Sequence, residues 1–142
     1  MRNNMSKYGA IPAMSYKDAN AAVDFLTNAF GFKEHFVYRD EKNMVHHAEL
    51  SLGNAMVMIG PQRKESEFGK MTGTPAQANG LNTQTAYIII DEVDNHYKNA
   101  KAHGAKIVMD IKDEDYGGRG YSCKDPEGNI WSFGSYNPYE SK

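Results

Sequence analysis

Cysteine, long apolar runs and an excess of either charge are all scarce in this sequence of 142 residues. The single cysteine, Cys123, excludes an intramolecular disulfide and suits a reducing compartment. The longest apolar run is about that of "AYIII", so we expect neither a signal peptide nor a membrane span. With 16 basic and 18 acidic side chains, the net charge of −2 favours neither nucleic acid nor an anionic membrane as a partner. We therefore expect a cytoplasmic protein.

The chain contains the same series of elements twice. In the first half, the strand "GAIPAMSY" precedes the helix "ANAAVDFLTNAF", for which Asp18 is the predicted cap and Gly31 the predicted end. The strands "FKEHFVYR", "MVHHAELSL" and "AMVMIG" follow. The second half repeats this order with "TAYIII", a helix through "VDNHYKNAKAH" capped by Asp91 or Asp94, and three further strands ending in "NIWSFG". Such a repeat indicates one supersecondary unit used twice.

These patterns predict a single domain over residues 1–142, with module one at about 8–60 and module two at about 84–136. The segment 61–83 between the modules is long, polar and rich in Gly and Pro. A loop of this length is usually functional or a linker. It is either a surface connection or a flap over a binding site, and the sequence favours neither.

Several stretches resemble the vicinal oxygen chelate superfamily, which includes glyoxalase I, bleomycin-resistance proteins and extradiol dioxygenases. They are "HAELSLGNAMVMIG", "YGGRGYSCKDPEGN" and the terminal "DPEGNIWSFGSY", typical of a bacterial glyoxalase/bleomycin-resistance-like branch. The resemblance implies an α+β fold of two tandem βαβββ modules, whose eight strands form an open, cup-shaped mixed sheet with the helices outside. It also implies a homodimer, in which sites are often completed by the partner chain.

The metal site of this superfamily is not retained in the sequence. The resemblance places its four ligand positions at about Ile11, Met58, Thr85 and Ser132. A divalent ion needs carboxylate, imidazole or thiolate ligands, and none of these residues supplies one. We therefore expect no metal and no other cofactor. A new metal site beginning in "HHAE" is disfavoured, because strand alternation turns His46 away from His47 and Glu49.

Strand alternation also predicts what lines the cup. In "MVHHAELSL" it places Ala48, Leu50 and Leu52 towards the helices, so that Val45, His47, Glu49 and Ser51 face the cup. The equivalent set in "RGYSCK" is Arg119, Tyr121 and Cys123. An apolar lining with a few polar groups is typical of small-molecule pockets. The predicted ligand-binding residues are His47, Glu49, Met58, Tyr116, Arg119, Tyr121 and Ser132.

Most of these residues also have a purely structural interpretation. Glu49 and Arg119 can neutralise each other inside the cup, as buried charges generally must. His47 can be a core histidine bonded to a carbonyl, and Tyr116 can serve only the turn at the rim. Met58 can be simple packing.

Two classes of function therefore remain. The first is a metal-free binding protein that sequesters a small organic molecule, such as a drug or a metabolite. The second is an enzyme of the same superfamily, of lyase, isomerase or dioxygenase type, with His47 and Glu49 as candidate catalytic acid–base groups. A metal-dependent enzyme is the least favoured alternative.

Overall fold

The computed structural model describes residues 7–140. The first half contains β1 (Ala13–Tyr16), α1 (Ala19–Phe30), β2 (Lys33–Arg39), β3 (Val45–Leu52) and β4 (Ala55–Pro61). The connection contains the short helix α2 (Glu67–Lys70) and a 3-10 helix, Pro75–Ala78. The second half contains β5 (Ala86–Ile89), α3 (Val93–Ala102), β6 (Lys106–Asp113), β7 (Arg119–Lys124) and β8 (Ile130–Gly134). This order confirms the predicted α+β fold of two βαβββ modules.

The first long helix begins and ends where the sequence predicts. The Asp18 carboxylate accepts a hydrogen bond from the Ala21 backbone N–H at 3.0 Å, which satisfies one free donor of the first turn. Gly31 ends α1 in the left-handed conformation with φ of 83°. The apolar residues between them recur at helical spacing, so α1 buries one continuous face.

The second long helix begins differently from the prediction. Its N-cap residue is Glu92, which makes no side-chain capping bond, so the predicted capping roles of Asp91 and Asp94 are wrong. Asp94 lies in the first turn of α3 instead, where a carboxylate is favoured by the helix dipole. There it forms an ion pair with Arg119.

The eight strands form two four-stranded sheets. We call them sheet one, with strand order β1-β4-β3-β2, and sheet two, with order β5-β8-β7-β6. In each sheet the first pair in this order is parallel and the other pairs are antiparallel. Within residues 7–140, no strand of one sheet is hydrogen-bonded to a strand of the other.

One hydrophobic core joins the two halves. The Phe30 ring at the end of α1 packs against Trp131 and Phe133 of β8, with centroids 5.5 and 4.7 Å away. Helices α1 and α3 also pack against each other. One face of each sheet is therefore covered by the helices and the core, and the other face is directed away from them. We call these the covered face and the open face.

The connection between the halves is anchored at its second end. Thr74 and Pro75 are buried, and the Asn82 side chain donates to the Gly128 carbonyl and accepts from the Ile130 backbone N–H. The first end is more exposed, and Phe68 of α2 projects into solvent. Across residues 7–140, no helix has the length and apolarity needed to span a bilayer.

Candidate functional site

The open face of sheet one combines aromatic, thioether and ionisable side chains. Because Ala48 and Leu50 are fully buried on the covered face, alternation places His47 and Glu49 on the open face, as predicted. Cross-strand pairing puts Glu49 between Met58 of β4 and Phe36 of β2. Phe36 is more than half exposed. We define the open face of sheet one by these residues: Phe36, Tyr38, His47, Glu49, Ser51, Met56 and Met58.

His47 and Glu49 form a hydrogen-bonded pair on this face. The distance between His47 Nε2 and Glu49 Oε2 is 2.9 Å, and both side chains are partly exposed. An ionised carboxylate only accepts hydrogen bonds, so Nε2 carries the proton in this contact. Nδ1 of the neutral ring is then the nitrogen that can act as a base. The pair can therefore bind a polar ligand group or exchange a proton with it.

One residue of the same strand lies on the other side of the sheet. The prediction that Val45 faces the cup is wrong, because its side chain is buried in the core. The pairing of β2 with β3 shifts between Tyr38 and Arg39, which lie opposite His47 and Val45. His46 is the extra residue in this bulge, and a bulge interrupts the alternation of side chains.

The open face of sheet two carries hydroxyl groups where sheet one carries Met58 and Glu49. The hydroxyls of Ser122 and Ser132 are hydrogen-bonded across β7 and β8, with 2.7 Å between their oxygens. Ser132 lies beside Tyr87 of β5, and Ser122 lies beside Met109 of β6. The predicted position of Ser132 on the cup side is therefore correct. We define the open face of sheet two by these residues: Tyr87, Lys106, Met109, Ser122, Lys124, Ile130 and Ser132.

Arg119, Tyr121 and Cys123 lie on the covered face, so their predicted position in the cup is wrong. Tyr121 and Cys123 are buried in the core, and burial raises the pKa of the Cys123 thiol to about 12. The error follows from the turns. Leu52 pairs with Ala55 across a two-residue turn in sheet one, whereas five residues separate the paired Lys124 and Ile130 in sheet two. This odd difference reverses the side-chain alternation of β7 relative to β3.

Arg119 is bonded to acidic residues of its own half. Its guanidinium donates to Asp113 at 3.1 Å and to Asp94 at 3.2 Å. These two hydrogen bonds, of which the one to Asp113 has the larger effect, raise the pKa of Arg119. Neutralisation of Glu49 by Arg119 is therefore also wrong, because Glu49 is bonded to His47.

Tyr116 belongs to a tyrosine cluster beside the Gly117–Gly118 turn. Its ring packs edge-on against Tyr136, with 5.1 Å between centroids, and its hydroxyl donates to the Glu114 carboxylate at 2.9 Å. That hydrogen bond raises the pKa of Tyr116. The Tyr87 hydroxyl donates to the Tyr136 carbonyl at 2.8 Å, which connects the cluster to the open face of sheet two. Tyr116 therefore remains a candidate for ligand contact.

The side chains near the superfamily's ligand positions do not fit a divalent metal ion. Ile11 and Thr85 precede their strands, and the residues that lie beside Met58 and Ser132 are Ala13 and Tyr87. A catalytic zinc site has three protein ligands of the imidazole, thiolate or carboxylate type. Among residues 7–140, no group of three or more His, Cys, Asp or Glu residues is placed to hold an ion.

The sequence predictions missed several open-face residues. The sequence itself could have indicated two of them. Phe36 and Tyr38 are two positions apart in "FKEHFVYR", as expected for side chains on the same face of a strand. Tyr87, Lys106 and Lys124 became recognisable only with the correct cross-strand register.

Comparison with known proteins places this geometry in a family. TioX from Micromonospora sp. ML1 is 27% identical, with a TM-score of 0.70, and the match covers 91% of this chain and all of that one. The uncharacterized protein Rv0887c of Mycobacterium tuberculosis is 28% identical over 123 residues, which cover 87% of this chain and 71% of the relative.

A more distant structure shares the fold alone. The fosfomycin resistance protein FosX from Listeria monocytogenes, solved with Mn(II) and a dihydroxypropylphosphonic acid, is 15% identical with a TM-score of 0.64. The match covers 94% of each chain. The sequence profile of one family matches residues 12–133. The chain therefore belongs to the Glyoxalase/Bleomycin resistance protein/Dioxygenase superfamily.

Proposed function

We propose that this protein binds a small organic molecule without a metal ion. The observation that carries the proposal is the open face of sheet one, where exposed aromatic rings and partly buried thioether side chains surround the His47–Glu49 pair. Apolar surface with a few placed polar groups is the usual composition of a small-molecule site. The ligand is thus aromatic or amphiphilic, and sequestration of a drug or metabolite is the biological role.

We further propose that a second copy of the chain completes the site. Within one chain, both covered faces contact the shared core, so the two open faces are directed away from it. A cup with two walls then requires the open face of sheet one from one chain and that of sheet two from another. Exposed residues such as Phe36 and Met109 would be covered in this arrangement.

Other members of the superfamily support this type of ligand. The family name includes bleomycin resistance, and FosX is named as a fosfomycin resistance protein. Both names refer to antibiotics. Retention of the fold with a different set of side chains is common, so the chemistry of each member depends on its own site.

The first experiment is a search for retained ligands by native mass spectrometry of the purified protein. We expect a homodimer, with a mass of about twice the 15.9 kDa of one chain, carrying a small organic molecule and no stoichiometric metal. Elemental analysis that finds close to one Zn, Ni, Mn or Fe per chain after dialysis would contradict the metal-free proposal. A mass of one chain in solution would contradict the dimer.

The His47–Glu49 hydrogen bond supports a second candidate function, a metal-free enzyme of lyase, isomerase or dioxygenase type. At 2.9 Å, the carboxylate holds the ring so that one nitrogen is left to accept a proton. Turnover of a bound compound in the presence of a chelator, lost in His47→Gln while binding persists, would favour the enzyme. Binding without turnover would favour the sequestering protein.

A further inference from the structure

Two lysines lie directly opposite each other on the open face of sheet two. Lys106 of β6 and Lys124 of β7 are cross-strand partners. Lys124 is two positions from Ser122 on the same strand, so the pair shares the face of the Ser122–Ser132 hydroxyls. Like charges directly opposite each other on a sheet are destabilising. Because this lysine pair reduces stability, we look for a role in binding that explains it.

Nothing in the described chain neutralises these two lysines. Across residues 7–140, neither Lys106 nor Lys124 forms an ion pair with an acidic side chain. Lys112, farther along β6, provides the contrast, because its amine lies 3.6 Å from the Glu114 carboxylate. Asp125 follows Lys124 in sequence, but its carboxylate is buried and bonded to Tyr16 and Trp131.

The neighbours of the lysines are suited to an organic anion. Ser122 and Ser132 supply hydroxyls next to Lys124. One O–H is used in their mutual hydrogen bond, which leaves the other free to donate to a ligand. Ile130, the other cross-strand partner of Lys124, adds apolar surface, as does Met109 beside Ser122. Two cationic amines, two hydroxyls and an apolar border can hold an aromatic acid by its charge and its ring together.

We propose that Lys106 and Lys124, assisted by the Ser122–Ser132 pair, bind the anionic group of the ligand. This inference rests on the proposed function, since it names the chemical class of the same ligand: an aromatic or amphiphilic molecule that carries a carboxylate or a phosphate. Arg119, the cationic member of the predicted ligand-binding set, lies on the covered face, where it pairs with Asp94 and Asp113. Lys106 and Lys124 supply the cationic groups of the open face instead.

The test uses four naphthalene compounds with the same ring and different charges. Isothermal titration compares 2-naphthol, which is neutral at pH 7, with 2-naphthoate, 2-naphthalenesulfonate and 2-naphthyl phosphate. We expect at least one anion to bind wild type about tenfold more tightly than the neutral compound, as a charge-assisted contact allows. Comparison of the carboxylate with the phosphate identifies which anion the site prefers.

Lys106→Gln and Lys124→Gln should each reduce the preference for the anion about three- to tenfold. Lys98→Gln, on the exposed surface of α3, is the matched control and should leave it unchanged. Without ligand, Lys106→Gln should also raise the melting temperature by about 1 °C, because it removes a like-charge pair. A lysine with a purely structural role would not lose affinity while gaining stability.

The outcomes separate the two proposals. If 2-naphthol binds wild type as tightly as the anions, or if both lysine variants keep the wild-type preference, the anion site is wrong and small-molecule binding stands. If none of the four compounds binds, both the anion site and the aromatic binding on which it rests are wrong.

Discussion

The two open faces share a backbone plan and differ in almost every side chain. At matching positions of the two sheets, Met58 and Glu49 of sheet one correspond to Ser132 and Ser122 of sheet two. Sheet one places an imidazole beside its carboxylate, whereas sheet two places a lysine two residues from its serine. The covered faces of both sheets contribute mainly apolar side chains to one shared core. The repeat therefore specifies the core, and the alternate positions are free to carry separate chemistry.

The turns that join the last two strands of each sheet differ as well. In sheet one, Gly53 and Asn54 make a short two-residue turn between β3 and β4. In sheet two, Asp125 accepts hydrogen bonds from the Tyr16 hydroxyl at 2.6 Å and the Trp131 indole at 3.1 Å. The Glu127 carboxylate accepts from two backbone N–H groups at the start of α1. The longer turn thus links the halves.

The largest expected effect is on this link. Asp125→Asn keeps the size of the side chain but introduces an NH₂ group. This group would face the Tyr16 hydroxyl and the Trp131 indole N–H, which now donate to the buried carboxylate. Unsatisfied buried donors should reduce the free energy of unfolding by about 2–4 kcal/mol, measured by urea denaturation. Glu127→Gln is the control, since its contacts are exposed and should matter less. Equal losses in both variants would show that burial of Asp125 is not the cause.

Much of this fold could be predicted because the local signals agree with the tertiary structure. Asp18 and Gly31 delimit α1 by chemistry that acts within a few residues. Ala48 and Leu50 identify the covered face of β3 because one side of the strand is apolar. Ser132 was recognised as a cup residue for the same reason, since Trp131 and Phe133 on either side are buried.

The predictions that failed depend on pairing between strands, which the residues of one strand do not reveal. A tyrosine such as Tyr121 is common both in pockets and in cores, so residue type does not reveal which face of the sheet it lies on. The face follows from the length of the turn after β7. Val45 is displaced by a bulge that no local pattern indicates. The predicted cap of α3 is wrong because the helix begins at Val93, which places Asp94 inside the first turn, where it pairs with Arg119.

The second prediction concerns His96, at the contact between the end of α1 and helix α3. The last carbonyls of α1 accept hydrogen bonds from α3: the His96 Nε2–H donates to Phe30, and Asn99 donates to Asn28 and Ala29. The other ring nitrogen of His96 accepts from the Tyr121 hydroxyl at 2.7 Å. Helix α3 ends with Gly104 at φ of 99°. The joint between the halves therefore includes one titratable ring.

Burial lowers the pKa of His96, although the Phe30 hydrogen bond opposes this shift. The unfolded chain, with a His pKa of about 6.5, then takes up the proton more readily than the folded chain. The resulting loss of stability begins as the pH falls below about 6.5 and continues to the folded pKa. We expect a loss of less than about 1 kcal/mol, because the ring is only partly buried.

The measurement is urea denaturation of wild type and His96→Gln between pH 7.5 and pH 5. Glutamine can still donate to the Phe30 carbonyl but does not titrate. The stability difference between wild type and variant should shrink as the pH falls. A difference that stays constant over this range would exclude His96 as the titrating group.

An effect of similar size is expected at the hydroxyl pair of sheet two. Ser132→Ala removes one partner of the 2.7 Å hydrogen bond to Ser122, which is partly buried. The remaining hydroxyl can turn to water on the open face, so the loss should be about 0.5–1 kcal/mol. The double variant with Ser122→Ala should lose no more than the larger single loss, because both changes remove the same bond. Additive losses would show that the two hydroxyls act separately.

The smallest effect is expected at Arg119, and it compares the two faces of one strand. Arg119 bonds Asp94 and Asp113 on the covered side of sheet two, and all three side chains are at least one-third exposed. Exposed ion pairs contribute little to stability, so the free energy of unfolding of Arg119→Ala should be close to that of wild type. Its affinity for 2-naphthoate should be unchanged, whereas Lys124→Gln, on the open side of the same strand, should weaken it. If Arg119→Ala weakens binding as much as Lys124→Gln does, the guanidinium reaches the ligand, and the division of β7 into a structural face and a binding face is wrong.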